Sequence, residues 1–156
     1  MCEERNHIAY HEGGHALMAV LVNREIKTVS LTKRHTILDP VRLEGIITGT
    51  GTLSDDDYGY CERELKVVLA GHRGELVGLG HTSNDLRNYL DDLEKGNVIH
   101  RVLRERGGRK GTGNGLTAEV EHDLEQQRAG LERLAKALLS EGDLTSERAK
   151  ALVTGV

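Results

Sequence analysis

Side-chain spacing in residues 3–22 restricts the fold of this chain more than any other part of the sequence. Apolar residues and histidines recur there at intervals of three and four, which predicts an α-helix with one face turned inward. His11 and His15 are four residues apart, so they lie on that face, about 6 Å apart along the helix axis. The fold must therefore provide partners for two inward-facing imidazoles.

The stretch "AYHEGGHALM", residues 9–18, has two interpretations. In the first, His11 and His15 bind a zinc ion, and Glu12 is the general base that takes a proton from water activated by the metal, as in enzymes with an HExxH motif. Zinc suits such a site because it accepts nitrogen and oxygen ligands and leaves one position open. In the second, the histidines are core residues satisfied by hydrogen bonds. The stretch alone leaves both interpretations open.

The composition excludes several other classes of protein. The 156 residues fit one domain, and the absence of Phe and Trp means that its core must be built from Leu, Val, Ile and Ala. A net charge of -4 and a content of only four Tyr argue against nucleic-acid binding. Cys2 and Cys61 are too few for a disulfide framework, and the longest apolar run, residues 16–22, is too short to cross a membrane. We therefore expect a cytoplasmic protein with no membrane segment.

The pattern along the chain predicts an α+β fold that is mostly α-helical, with a small β-sheet packed beside the first helix. β-branched segments between residues 26 and 53 predict the sheet, "SDDDYG" predicts a loop, and the glycines of residues 107–115 predict a flexible loop. We expect one domain, in which residues 1–106 carry the site and residues 116–156 form carboxy-terminal helices. The later helices are predicted at 61–78, 84–106, 117–140 and, behind a Thr145 cap, 146–153.

A zinc site would need a third protein ligand. Met18 and Leu21 exclude the extended pattern in which a glycine and a third histidine follow the first two histidines directly. Glu119 remains an alternative, although a charged helix face explains it equally well. Asp85 is favoured, because Ser83 can cap a helix whose first turn then holds this carboxylate at the positive end of the helix dipole.

Two further histidines lie close to these residues in the sequence. His7 continues the face of His11 and His15, but it lies about 12 Å from His15 along the axis, so no single ion can bind all three. We predict that His7 supports a ligand or lies at the surface. We also predict that His81 flanks a turn rather than stabilising an oxyanion.

Four segments occur in order along the chain: "AYHEGGHA" at 9–16, "VVLAGHRGE" at 67–75, "TSNDL" at 82–86 and "LERLAKALLSEGDLTSERAKAL" at 131–152. Together they resemble the proteolytic domain of the FtsH-type zinc metallopeptidases. The resemblance implies a Zn²⁺ ion held by His11, His15 and Asp85, with Glu12 as the general base. It also implies a zinc endopeptidase that hydrolyses peptide bonds of unfolded or flexible proteins.

The resemblance also implies how substrate and partners bind. "LEGIIT" at 43–48 resembles the family's strand beside the zinc helix, so Glu44, Gly45, Ile46 and Ile47 are predicted to pair with an extended polypeptide substrate. The family's ATPase module and membrane anchor are not among these 156 residues. We therefore expect an ATPase partner or a homo-oligomer, and membrane association only through a larger anchored protease. The alternative is a non-catalytic module that retains the zinc site, but the presence of Glu12 favours the enzyme.

Overall fold

The computed structural model describes residues 2–32, 40–108 and 115–155 of the chain. These ranges contain helices joined by short connections and one pair of very short strands, so the predicted mostly helical α+β class is confirmed. In chain order the elements are α1 Cys2–Leu21, β1 Thr28–Val29, α2 Pro40–Thr48, α3 Asp55–Leu79, α4 Arg87–Arg106, α5 Leu116–Gln126, α6 Arg128–Glu141, β2 Leu144–Thr145 and α7 Ser146–Thr154.

Helix α3 is the longest helix of the described residues, and its start differs from the prediction. The Ser54 side chain accepts a hydrogen bond from the Asp57 N–H at 3.1 Å, which satisfies one of the free donors at the start of the helix. The acidic residues that predicted a loop at 54–59 form the first helical turn instead, where the helix dipole favours negative charge. The loop prediction is therefore wrong. The helix ends at Gly80, which adopts the left-handed conformation with φ 81°.

The small sheet joins distant parts of the chain. Strand β1 pairs antiparallel with β2, with Thr28 opposite Thr145 and Val29 opposite Leu144. The prediction placed β-structure between residues 26 and 53 and named no partner near residue 144. A strand within residues 26–32 is confirmed only at Thr28–Val29, and its partner strand comes from the segment that leads into α7.

The predicted strand at 43–48 is wrong, because these residues belong to helix α2. Pro40 is the first helical residue, a position where proline costs no hydrogen bond. Leu43, Ile46 and Ile47 follow the three-and-four spacing of a helix face, and Ile46 is buried in the core. The Thr48 hydroxyl donates to the Glu44 carbonyl at 3.0 Å in the last turn.

The carboxy-terminal helices pack against the first helix. The single helix predicted over 117–140 is two helices, α5 and α6, which meet at Gln127. The helix predicted at 146–153 is confirmed as α7, and the Thr145 side chain caps it by accepting from the Arg148 N–H at 3.1 Å. The flexible loop predicted at 107–115 falls largely outside the described residues.

The interior forms two aliphatic clusters, as the lack of Phe and Trp predicts. One lies among α1, α3, α6 and α7 and contains Leu17, Leu131 and Leu138, while the other lies among α2, α3 and α4 and contains Leu65 and Leu103. Helix α3 contributes to both clusters and so connects them. Within the described ranges, no helix is both long and apolar enough to span a membrane.

Candidate metal centre

Helices α1 and α3 approach each other closely along a line of glycines. A methyl group added at Gly14 would overlap the Ala70 carbonyl oxygen, and one added at Gly74 would lie 2.6 Å from the Tyr10 carbonyl oxygen. Only residues without a β-carbon allow this separation of the two backbones. The close approach places the histidine-bearing face of α1 directly against α3.

The two histidines of α1 are held by their Nδ1 atoms. His11 Nδ1 lies 2.8 Å from Glu75 Oε2, and His15 Nδ1 lies 2.6 Å from the Val67 carbonyl oxygen. Because a carbonyl and a carboxylate accept hydrogen bonds, both Nδ1 atoms carry the proton. The two Nε2 atoms therefore face the same space, with the ring centroids 4.8 Å apart.

Asp92 of helix α4 completes the cluster. Its Oδ2 lies 2.7 Å from His11 Nε2 and 3.0 Å from His15 Nε2. His11 is 2% exposed and Asp92 is 8% exposed, so the carboxylate and the imidazoles meet away from bulk water. One ligand atom from each of the three residues lies within 4.8 Å of the other two, the spacing of a metal-binding group.

The electrostatics of the cluster favour a positive charge at its centre. Burial alone would lower the pKa of His11, but hydrogen bonds to Asp92 and Glu75 outweigh it and raise that pKa to about 10. The pKa of His15 is also raised, because the charge of Asp92 overcomes the effect of burial. The pKa of Asp92 stays well below its ordinary value despite burial, because both imidazoles stabilise its charge. A proton or a metal cation can supply the positive charge that this arrangement favours.

These residues fit zinc in donor type and in space. Two imidazole nitrogens and a carboxylate oxygen are a common catalytic zinc ligand set. Bonds of about 2.0–2.1 Å in a tetrahedron separate the ligand atoms by about 3.3 Å, so Asp92 Oδ2 would move away from the two Nε2 atoms by about 0.3–0.6 Å. Gly71 leaves the neighbouring space open, since a methyl group there would overlap His15 Nε2 and lie 2.6 Å from His11 Nε2.

The structure does not bring Asp85 to the histidines. Its Oδ2 lies 2.5 Å from Arg87 Nη2, and its Oδ1 accepts a hydrogen bond from the Arg87 N–H at 3.1 Å. Ser83 does not cap α4, which begins at Arg87 with Leu86 before it. Instead the Ser83 hydroxyl donates to Glu4 at 2.8 Å. Asp85 therefore lies in the turn that precedes α4 and is engaged by an arginine.

Asp92 is the residue that the sequence reasoning missed, although the sequence carries a signal for it. The buried residues of α4 are Asp92, Gly96, Ile99, Val102 and Leu103, at helical spacing. Asp92 thus extends an otherwise apolar face by one turn. A carboxylate at an inward-facing helical position needs a partner, which marks it as a ligand candidate.

The other predicted site residues lie apart from this cluster, except Glu12. Glu12 follows His11 directly in α1 and is 9% exposed, and its charge is a minor contribution to the raised pKa of both His11 and His15. Glu119 is 58% exposed and lies 3.9 Å from Lys66 Nζ, so it is a surface carboxylate.

The predicted substrate-binding residues Glu44, Gly45, Ile46 and Ile47 lie on helix α2. Their backbone hydrogen-bonding groups belong to a helix, so they cannot form the edge of a sheet. The predicted strand is therefore absent, and a substrate-binding role for these four residues stays a prediction.

A cavity of about 310 Å³ adjoins the cluster, and Asp92 forms part of its wall. Its apolar lining comes from Leu65, Val68, Leu69 and Leu93. His72 also lines it, and its Nδ1 is buried with no hydrogen-bond partner among the described residues. The lining also includes the polar residues Arg73, Asn97, His100 and Thr117, so the cavity offers apolar and polar groups next to the candidate metal ligands.

Comparison with known proteins finds a partial match to a bacterial metalloprotease. The chain is 32% identical over 149 residues to a protein of Marinobacter nauticus named "ATP-dependent zinc metalloprotease FtsH". The match covers 89% of this chain but 22% of the relative, so the chain spans about a fifth of that protein's length. No protein-family model matches the chain. The match suggests a relationship to FtsH.

Proposed function

We propose that this chain is a zinc-dependent endopeptidase that hydrolyses peptide bonds of unfolded or flexible proteins. The observation that carries the proposal is the convergence of His11 Nε2, His15 Nε2 and Asp92 Oδ2 beside Glu12. The name of the Marinobacter relative, a zinc metalloprotease, supports the choice of metal and reaction. The hydrogen-bonded imidazoles support it further, because ligand histidines commonly donate their second N–H to a carboxylate or carbonyl.

Each residue of the cluster has a separate role in this proposal. His11, His15 and Asp92 would hold the ion, and Glu75 and the Val67 carbonyl fix the imidazole tautomers. A zinc ion supplies Lewis acidity, which acidifies water and polarises the peptide carbonyl. Glu12 takes the proton from the attacking water and returns it to the leaving amine.

The cavity beside Asp92 is the proposed binding site for a substrate side chain. A volume of about 310 Å³ with leucine and valine walls suits a large apolar side chain. His72 lines the same cavity, and burial lowers the pKa of His72, which favours the neutral ring. This cavity replaces α2 as the proposed substrate site.

The supply of unfolded substrate is also a proposal. The Marinobacter relative is named ATP-dependent, and this chain matches only 22% of it. We expect an ATPase, in a longer chain or in a partner, to deliver unfolded polypeptide to the site. In its absence the chain would cleave only substrates that are already unfolded.

Hydrolysis of a fluorescently labelled, reduced and unfolded protein tests the reaction. Wild type loaded with zinc is expected to cleave it, and Glu12→Gln is expected to lose at least about a hundredfold in rate, the usual contribution of a general base. Zinc content measured on both proteins should be equal. Equal, background-level hydrolysis by both zinc-loaded proteins would refute the enzyme and favour the non-catalytic module.

Metal retention tests the ligand set separately. Asp92→Asn is expected to lose zinc on dialysis against a chelator, because it removes a charged ligand from a buried site. Asp85→Asn and Glu119→Gln are the matched controls and should keep the wild-type zinc content. Loss of zinc by Asp85→Asn with retention by Asp92→Asn would move the third ligand to Asp85.

A further inference from the structure

A second group of possible metal ligands lies at the start of α1. One ligand atom each from Glu3, His7 and His81 lies within 4.8 Å of the other two. His7 is buried, whereas Glu3 and His81 are exposed, so the group opens to solvent on one side. His7 Nε2 lies 4.0 Å from Glu3 Oε1, and the His7 and His81 ring centroids are 4.8 Å apart. The group is thus two imidazoles and a carboxylate from two different parts of the chain.

Glu75 orients His7 as it orients His11. Its Oε1 lies 3.0 Å from His7 Nδ1, while its Oε2 lies 2.8 Å from His11 Nδ1. Oε1 also accepts a hydrogen bond from the Ser83 N–H at 2.9 Å, so this carboxylate acts as an acceptor toward His7 as well. His7 therefore carries its proton on Nδ1 and presents Nε2 toward Glu3, an orientation typical of a metal-bound histidine.

The turn that carries His81 is fixed against α1. The Ser83 N–H donates to Glu75 Oε1 at 2.9 Å, and the Ser83 hydroxyl donates to Glu4 Oε2 at 2.8 Å. Gly80 begins this turn in the left-handed conformation with φ 81°. These bonds hold the exposed His81 ring over His7, so the geometry exists before a ligand binds.

We infer that Glu3, His7 and His81 form a second zinc site, and that Glu75 positions one histidine in each of the two centres. Two nitrogens and one oxygen select a transition metal over Mg²⁺ or Ca²⁺, which prefer oxygen ligands. The solvent-facing side leaves a fourth position for water, and the ligand atoms, which lie within 4.8 Å of one another, need to close by at most about 1.5 Å to reach zinc spacing. The second site binds zinc more weakly than the first because two of its three ligands are exposed and lose side-chain freedom on binding. This inference does not depend on peptidase activity.

Zinc stoichiometry in the untagged full chain tests the second site. The measurement is equilibrium dialysis with metal analysis across a range of free Zn²⁺, in a Cys2→Ser background that removes the thiol at the same end of α1. We expect two ions per chain with distinct affinities. His81→Ala should lower the affinity of the weaker ion at least about tenfold and leave the tighter one unchanged, whereas the surface control His122→Ala should change neither.

The remaining variants separate the two sites from each other. His11→Ala should remove the tighter ion and keep the weaker one. His7→Ala should remove the weaker ion, but His7 is buried and the variant can fail to fold. Glu3→Gln is therefore the second test of the weaker site, and it should repeat the effect of His81→Ala. Glu75→Gln should weaken both ions by about 10–100-fold, the usual effect of removing a carboxylate that orients a ligand histidine. A single bound ion in the Cys2→Ser chain, or two ions with unchanged affinities in His81→Ala and Glu3→Gln, would overturn the inference.

Discussion

Neighbouring glycines on α1 face different surroundings, and alanine should therefore have opposite effects at the two positions. A β-carbon at Gly13 would lie 3.6 Å from Leu131 Cδ1 and 3.7 Å from Leu134 Cβ, which is ordinary van der Waals contact. Alanine favours a helix over glycine by about 1 kcal/mol. Gly13→Ala is therefore expected to stabilise the chain by about 1 kcal/mol and to raise its Tm by about 2–4 °C.

Gly14→Ala gains the same helix propensity but loses more through overlap. Its methyl group would overlap the Ala70 carbonyl oxygen and lie 3.2 Å from the Gly74 α-carbon, both of them backbone atoms that cannot move independently of α3. Overpacking of this kind costs about 1–3 kcal/mol or more. Because the methyl group would force two helix backbones apart, we expect a cost of about 3 kcal/mol, against a gain of about 1 kcal/mol in helix propensity. We expect a net loss of about 2 kcal/mol, together with weaker zinc retention, because separating the helices moves His11 away from Glu75.

Urea unfolding of the metal-free wild type and both variants measures these changes by linear extrapolation. Equal slopes of unfolding free energy against urea would show that the midpoints report stability directly. The reasoning would be refuted if Gly14→Ala were as stable as Gly13→Ala, since α1 and α3 would then not be in backbone contact at Gly14.

Three further predictions concern the metal centre, a buried ion pair and the free thiol. Gly71→Ala should abolish zinc binding, because its methyl group would occupy the space beside His11 and His15, and dialysis followed by metal analysis checks this. Arg24→Met should cost about 3–5 kcal/mol of unfolding free energy in urea, because it removes the ion-pair partner of the fully buried Glu64 carboxylate. Burial raises the pKa of Cys61 to about 11, so the folded chain keeps this thiol protonated while the unfolded chain ionises it above about pH 8.5. The contribution of the Cys61 thiol to stability therefore falls between about pH 8.5 and 11. In a Cys2→Ser chain at pH 9, a thiol reagent should label Cys61 only after denaturant is added. Rapid labelling of the folded chain would contradict this.

The sequence by itself determined the features that depend on neighbouring residues. His11 and His15 share a face because one helical turn separates them, whatever the rest of the chain does. The Thr145 cap of α7 and the aliphatic core follow equally from local chemistry and composition. The apolar spacing of residues 43–47 also indicates the helix at Pro40–Thr48. The β-branched residues in the same segment favoured a strand, and that prediction is wrong.

Only the tertiary structure decided which groups meet the two histidines. Asp85 and Asp92 are both carboxylates near the start of α4, and the choice between them depends on how α4 lies against α3 rather than on either residue's neighbours. The same holds for Glu75, which reaches His11 and His7 because glycines allow α1 and α3 to come together. The pairing of Val29 with Leu144 likewise joins segments at opposite ends of the chain. Local sequence sets the direction of a side chain from its own helix, whereas the packing of one helix on another sets what that side chain meets.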